Sequence, residues 1–158
     1  MKSLIAVFTF FVLALQGFAH CQIPCGVYTD DMRFTRIEED LQTIEKAMAQ
    51  IKELSAASSP DYATIVRWTS NKEIHAGSIQ EIVSVYFMTQ RIKPDAASYE
   101  DKLKLLHGML ISAMKCKQTL DPAHVAKTRE LTARFYDLYF GKTKAADHAG
   151  HDHSGHDH

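Results

Sequence analysis

No charge of one sign dominates this sequence: 18 lysines and arginines stand against 19 aspartates and glutamates, a formal net charge of -1. Such a balance gives no electrostatic footprint for nucleic acid. No apolar run reaches the roughly 20 residues that a spanning helix needs. Alternating apolar and polar segments bounded by turn pairs, which would argue for a sheet, are missing as well. Cysteine is scarce, with three in the chain, and two of those, Cys21 and Cys25, lie four positions apart. What remains is a chain of 158 residues, 46% hydrophobic and 23% charged, enough for one ordinary globular domain with a real core.

Residues 1–19, MKSLIAVFTFFVLALQGFA, combine a basic start at Lys2, an apolar run from Leu4 to Leu15, and small residues at Gly17 and Ala19. This is the layout of a secretory signal peptide. A lipoprotein signal would need a small residue before Cys21, where His20 stands. Cleavage after Ala19 is therefore expected, with export to the periplasm or the medium and no stable membrane anchor afterwards. The leader has no twin arginine, so the general route for unfolded chains is expected, and any metal would be acquired after crossing.

The remainder reads as four helices. Ile37, Leu41, Ile44, Met48 and Ile51 recur at steps of four and three, marking one stripe of an amphipathic helix over about 33–57, with Asp30 or Asp31 as its cap. A second helix is expected to start with Ser59 as cap and Pro60 in its first position, and to carry Tyr62, Ile65, Val66, Ile79, Ile82, Val83 and Tyr86 as far as about Ile92, with Gly77 a weak point. A third, over about 98–118, places Leu103, Leu106, Met109, Leu110 and Ala113 on one side. The fourth begins at Asp121-Pro122 and stops at Gly141. The fold class expected is all-α, an antiparallel four-helix bundle over 32–140 with a metal-binding segment over 20–31 ahead of it. Residues 141–158 are low in complexity, end in DHAGHDHSGHDH, and are expected to be disordered on their own.

Removal of the leader would give His20 a free amine beside its imidazole, followed at once by the amide and thiol of Cys21. Pro24 fixes one backbone angle and Gly26 permits a tight turn, so Cys25 can come back beside Cys21. A planar set of nitrogen and sulfur donors suits nickel or copper better than zinc, which favours a tetrahedron. An exported pair of cysteines at this spacing is also open to a small disulfide loop.

The stretch HCQIPCGVY, residues 20–28, resembles the nickel hook of nickel-containing superoxide dismutases, His-Cys-x-x-Pro-Cys-Gly-x-Tyr at a processed amino terminus. The resemblance continues through RIEEDLQTIEKAMA and NKEIHAGSIQEIVSVYF, covering roughly 20–140. It implies a four-helix bundle that dismutates superoxide to oxygen and hydrogen peroxide, using nickel that cycles between divalent and trivalent states. It further implies thiolates from Cys21 and Cys25, nitrogens from the His20 amine and the Cys21 amide, and an axial His20 imidazole in the oxidised form. Glu38 would steady that imidazole, Tyr28 would order substrate or water near the open face, and Tyr86 matches a second tyrosine near the site. Members of the family assemble as hexamers, so a homo-oligomer is expected by the same resemblance.

The sequence also departs from that family. Gln22 stands where many members have an acid, and His75 aligns with an arginine that braces the glutamate. The hook-to-RIE spacing is about two residues longer. The rest of RIEED reads as a solvated face, Cys116 as a buried structural thiol, Trp68, Met109 and Met114 as core or subunit contacts, and His107 and His124 as packing or cap-adjacent histidines. In the tail, His148, His151, His153, His156 and His158, with Asp152 and Asp157, are expected to bind metal weakly and to pass nickel to the hook, with or without a separate delivery partner, rather than serve only to solubilise the chain. The competing functional class is an exported, non-enzymatic metal-binding protein. A third is a plain helical bundle with a 21–25 disulfide.

Overall fold

The computed structural model describes residues 29–141, and these form four consecutive helical rods with no strand among them. Helix α1 spans Asp31–Ser55, α2 Tyr62–Glu81, α3 Tyr99–Gln118 and α4 Ala123–Phe140; α2 continues directly into a π-helical segment, Ile82–Arg91. Packing runs in a ring, α1 on α2, α2 on α3, α3 on α4 and α4 back on α1. The short connections make neighbours antiparallel. The start of α1 therefore lies at the same end as the close of the π segment and of α4. Among the described residues no helix is long and apolar enough to cross a membrane.

The stripe on α1 faces inward as its spacing requires: Ile37, Leu41, Ile44, Met48 and Ile51 are all buried, joined by Phe34 and Ala47. From the other helices Ile79, Val83, Phe87, Leu106, Met109, Ala113, Cys116, Val125 and Phe135 complete the core. Cys116 is a free, buried thiol, and burial pushes its pKa up, so it stays protonated and packs as a small apolar group.

Several local expectations are corrected. The second helix starts two residues later than expected: Asp61 is the cap, its carboxylate accepting the Thr64 N–H at 3.1 Å. Tyr62 and Val66 lie on the outer face, 72% and 62% exposed. Gly77 does not weaken the helix, which runs through it; the change of winding comes at Ile82. At the fourth helix the Asp121 carboxylate does accept the Ala123 N–H, at 2.9 Å, and Gly141 ends the helix at φ 64, the left-handed region where a Cβ would be unfavourable. Asp40, read as part of a solvated charged face, is fully buried.

Candidate functional site

At the end of the bundle where the chain enters α1, six aromatic rings gather. Phe34 is the hub, with ring centroids 5.0 Å from Phe87 and Tyr136, and 5.7 Å from Phe135 and Phe140. Tyr139 lies 5.5 Å from both Phe87 and Phe135. Rings at such separations interlock at tilted and edge-on angles, giving a stiff floor.

Asp30 sits on the rim of this floor. It occupies the N-cap position of α1 but makes no capping bond. Its carboxylate instead accepts from three distant donors: the Tyr139 hydroxyl at 2.7 Å, the Arg91 Nε at 3.0 Å, with a further bond from Arg91 Nη2, and the Tyr86 hydroxyl. Tyr86 and Arg91 are five residues apart. In an α-helix of 3.6 residues per turn they would point about 140° away from each other. The π winding, with its i→i+5 bonding, stacks residues five apart on one face and so lets both reach the same acceptor. Arg33 and Arg91 also lay their guanidinium groups over the Tyr86 ring, 4.5 and 5.2 Å from its centroid.

The electrostatics follow from this arrangement. Burial raises the Asp30 pKa, but hydrogen bonds from Tyr139, Tyr86 and Arg91, with the charge of Arg91, more than offset it and hold the carboxyl below its ordinary range. Burial, and then the Asp30 carboxylate, push both tyrosines up, so each phenol keeps its proton. Tyr86 is therefore a buried tyrosine whose hydroxyl is already committed to Asp30.

Glu38 lies seven residues into α1, about 10 Å from the start of the helix. Its two oxygens share the Nε–H of Arg129 at 3.1 and 3.2 Å, and Gln42 Nε2 stands 3.5 Å from one of them. The Nη2 of the same guanidinium donates to Glu45 at 3.2 Å. Burial alone would lower the Arg129 pKa, but the charges and bonds of Glu38 and Glu45 raise it.

His75 does not meet Glu38. Its Nδ1 lies 2.6 Å from Asp40 Oδ1, and Arg36 reaches the same oxygen at 3.4 Å. The other Asp40 oxygen is buried with no hydrogen-bond partner among the described residues. The sequence reading missed both Asp40 and Arg129. The available signal for Asp40 was its spacing, since it falls one residue before the buried Leu41 on the side of α1 that faces α2. Arg129 carried no signal of its own, because its partners are 91 and 84 positions away.

His20, Cys21, Cys25 and Tyr28 lie outside the described residues, as do Gln22 and the tail histidines. Among the described residues no group of three or more His, Cys, Asp or Glu side chains gathers as a metal site. His107 is exposed and His124 half-buried. Trp68 is half-buried beside a 630 Å³ surface groove on α2, Met109 is in the core, and Met114 is 40% exposed.

Comparison with known proteins adds a likeness over most of the chain to this local picture. The family model described as nickel-containing superoxide dismutase matches residues 16–144. The protein named superoxide dismutase [Ni] in Streptomyces coelicolor is 31% identical over 129 residues, which is 81% of this chain and 90% of that protein. Its namesake in Streptomyces seoulensis is 30% identical over the same coverage. No solved structure matches the chain significantly.

Proposed function

The chain belongs to the nickel-containing superoxide dismutase family, and from that premise we propose a nickel enzyme that converts two superoxide ions and two protons to oxygen and hydrogen peroxide at its processed amino terminus. The observation that carries the reading is the match over residues 16–144, which takes in the whole HCQIPCGVY segment and all four helices.

The donor set fits the metal. His20, Cys21 and Cys25 would hold nickel through two thiolates, the terminal amine and the Cys21 amide, with the His20 imidazole as a further donor. Anionic sulfur and amide donors favour the higher oxidation state, which aqueous nickel reaches only with difficulty. When bound, the nickel supplies a one-electron couple between its divalent and trivalent states.

The protein's own groups have separate tasks. Glu38 would accept from the His20 imidazole and fix its orientation, as carboxylates behind metal-bound histidines commonly do. Tyr28 would order superoxide or water near the open side. For Tyr86 the hydrogen bond to Asp30 favours a positioning role, in which it fixes the chain two residues beyond Tyr28. Export with cleavage after Ala19, assembly into a homohexamer, and nickel gathering by the histidine tail or a delivery partner complete the proposal. A purely metal-buffering protein is not favoured, because a buffer needs neither the complete hook nor an ordered site behind it.

The test is mass spectrometry of the mature amino terminus, paired with nickel content and the rhombic spectrum of trivalent nickel. A first residue of His20, one nickel per chain and that spectrum are expected. A chain retaining even one residue before His20 while fully active would sink the reading, since the amine would then be elsewhere. Cys21→Ser or Cys25→Ser should abolish both spectrum and activity.

A further inference from the structure

We propose that Arg129 is the positioning residue for Glu38, supplying from α4 the guanidinium brace that family resemblance would place on α2. This rests on the reading of Glu38 as the carboxylate behind the His20 imidazole. The position aligned with the bracing arginine holds His75, and His75 is committed to the buried Asp40. Glu38 turns the other way, toward α4, where the Arg129 Nε–H bridges both of its oxygens.

The contact has the properties of a brace. Glu38 and Glu45 are seven residues apart, two turns along the same face, and one guanidinium bonds both of them. Bonds from two nitrogens of a planar group fix its plane, which a point charge such as lysine cannot reproduce. The helix carrying Arg129 is itself fixed, since Val125, Thr128 and Thr132 on either side are buried. A carboxylate has about four acceptor sites. One shared N–H and a long contact from Gln42 leave Glu38 able to accept an imidazole N–H. Its side chain is 32% exposed, so that lone pair can be approached from outside. An ion pair this exposed contributes little to stability. Its effect should therefore be read in orientation more than in folding.

The experiment compares Arg129→Met, Arg129→Lys, Glu38→Gln, Glu45→Gln and the double variant Arg129→Met/Glu38→Gln in the full mature chain at saturating nickel. Nickel content, the trivalent-nickel spectrum and kcat/KM are recorded for each, with circular dichroism as the check on folding. Arg129→Met should keep its nickel, lose roughly ten-fold in kcat/KM and shift the spectrum as Glu38→Gln does. The double variant should be no worse than either single one, and Glu45→Gln, which keeps an acceptor for Nη2, should shift the spectrum in the same direction but less than Arg129→Met. An unchanged spectrum in Arg129→Met beside a changed one in Glu38→Gln overturns the proposal and leaves the reading of Glu38 standing. No effect from Glu38→Gln overturns that reading itself. If Arg129→Met does not fold, Arg129→Lys decides: a shift toward the Glu38→Gln spectrum supports the brace, and an unchanged spectrum rejects it.

Discussion

Asp30, the residue before α1, accepts a hydrogen bond at 2.7 Å from Tyr139, which is 109 residues further on and one residue short of the end of α4. The two ends of the bundle's chain are thus joined by a single carboxylate that also receives Tyr86 and Arg91.

Removing one of these donors should be felt in stability. A hydrogen bond to a charged acceptor contributes about 1.5–3 kcal/mol, and Tyr139→Phe deletes one while keeping the ring that packs on Phe87 and Phe135. The loss should fall near the lower figure, because Asp30 keeps its other donors. Urea unfolding should show a lower midpoint with an unchanged slope. A midpoint equal to that of the unaltered protein would mean that the bond contributes nothing.

Acid should weaken the same cluster. The folded pKa of Asp30 is held below its unfolded value, so its contribution is fully present above the unfolded value of about 3.9 and fades as the pH falls through the lower folded value. Asp30→Asn should be less stable than the unaltered protein at pH 7. The two stability curves should converge in the window below about pH 4, as the pH falls through the lowered folded value. Curves that stay parallel across that window would show that Asp30 is not the titrating group.

A buried lysine ties α2 to the end of α3. Lys72 is 3% exposed, and its ammonium donates to the Cys116 carbonyl at 2.7 Å and to the carbonyl of Lys117. These are among the last carbonyls of α3, which have no partner within their own helix. Lys72→Met keeps the volume but removes the donor, and the carbonyls cannot be removed with it. A loss of about 1–3 kcal/mol is expected, accompanied by faster amide exchange in the last turn of α3. Protection there equal to the unaltered protein would show that the carbonyls find another donor.

The stripe on α1 was legible because burial of Ile37, Leu41, Ile44 and Met48 follows from periodicity alone. The stop at Gly141 was legible because a left-handed residue is a local requirement. The start of α2 was misread because Ser59-Pro60 and Asp61 are competing local signals, and the Thr64 hydroxyl, which also bonds the Asp61 carboxylate, favours the latter. Tyr62 and Val66 fell on the stripe by counting but face outward, because the buried face of α2 is set by Lys72, Ala76 and Ile79. Asp30 has a cap's composition at a cap's position, and only the arrival of Tyr86, Arg91 and Tyr139 gives its carboxylate another task. Asp40–His75 and Glu38–Arg129 were not legible, because each pair is fixed by helix packing between residues 35 and 91 positions apart.

Nickel supply gives a further expectation. Deleting residues 147–158 removes His148, His151, His153, His156 and His158 but no residue of the bundle. Activation should slow when nickel is limiting and proceed normally when it is abundant, measured as activity regained against time. Equal rates at limiting nickel would sink the role of the tail.

The reach of Asp30 across the chain also sets an order of events. Ribosomes make the amino-terminal segment first, while the side chains that seat its foot come 56, 61 and 109 residues later. Asp30 therefore waits for the last helix before all of its donors are in place. Seating of Asp30 is thus a closing step of folding, because its last donor belongs to the final helix.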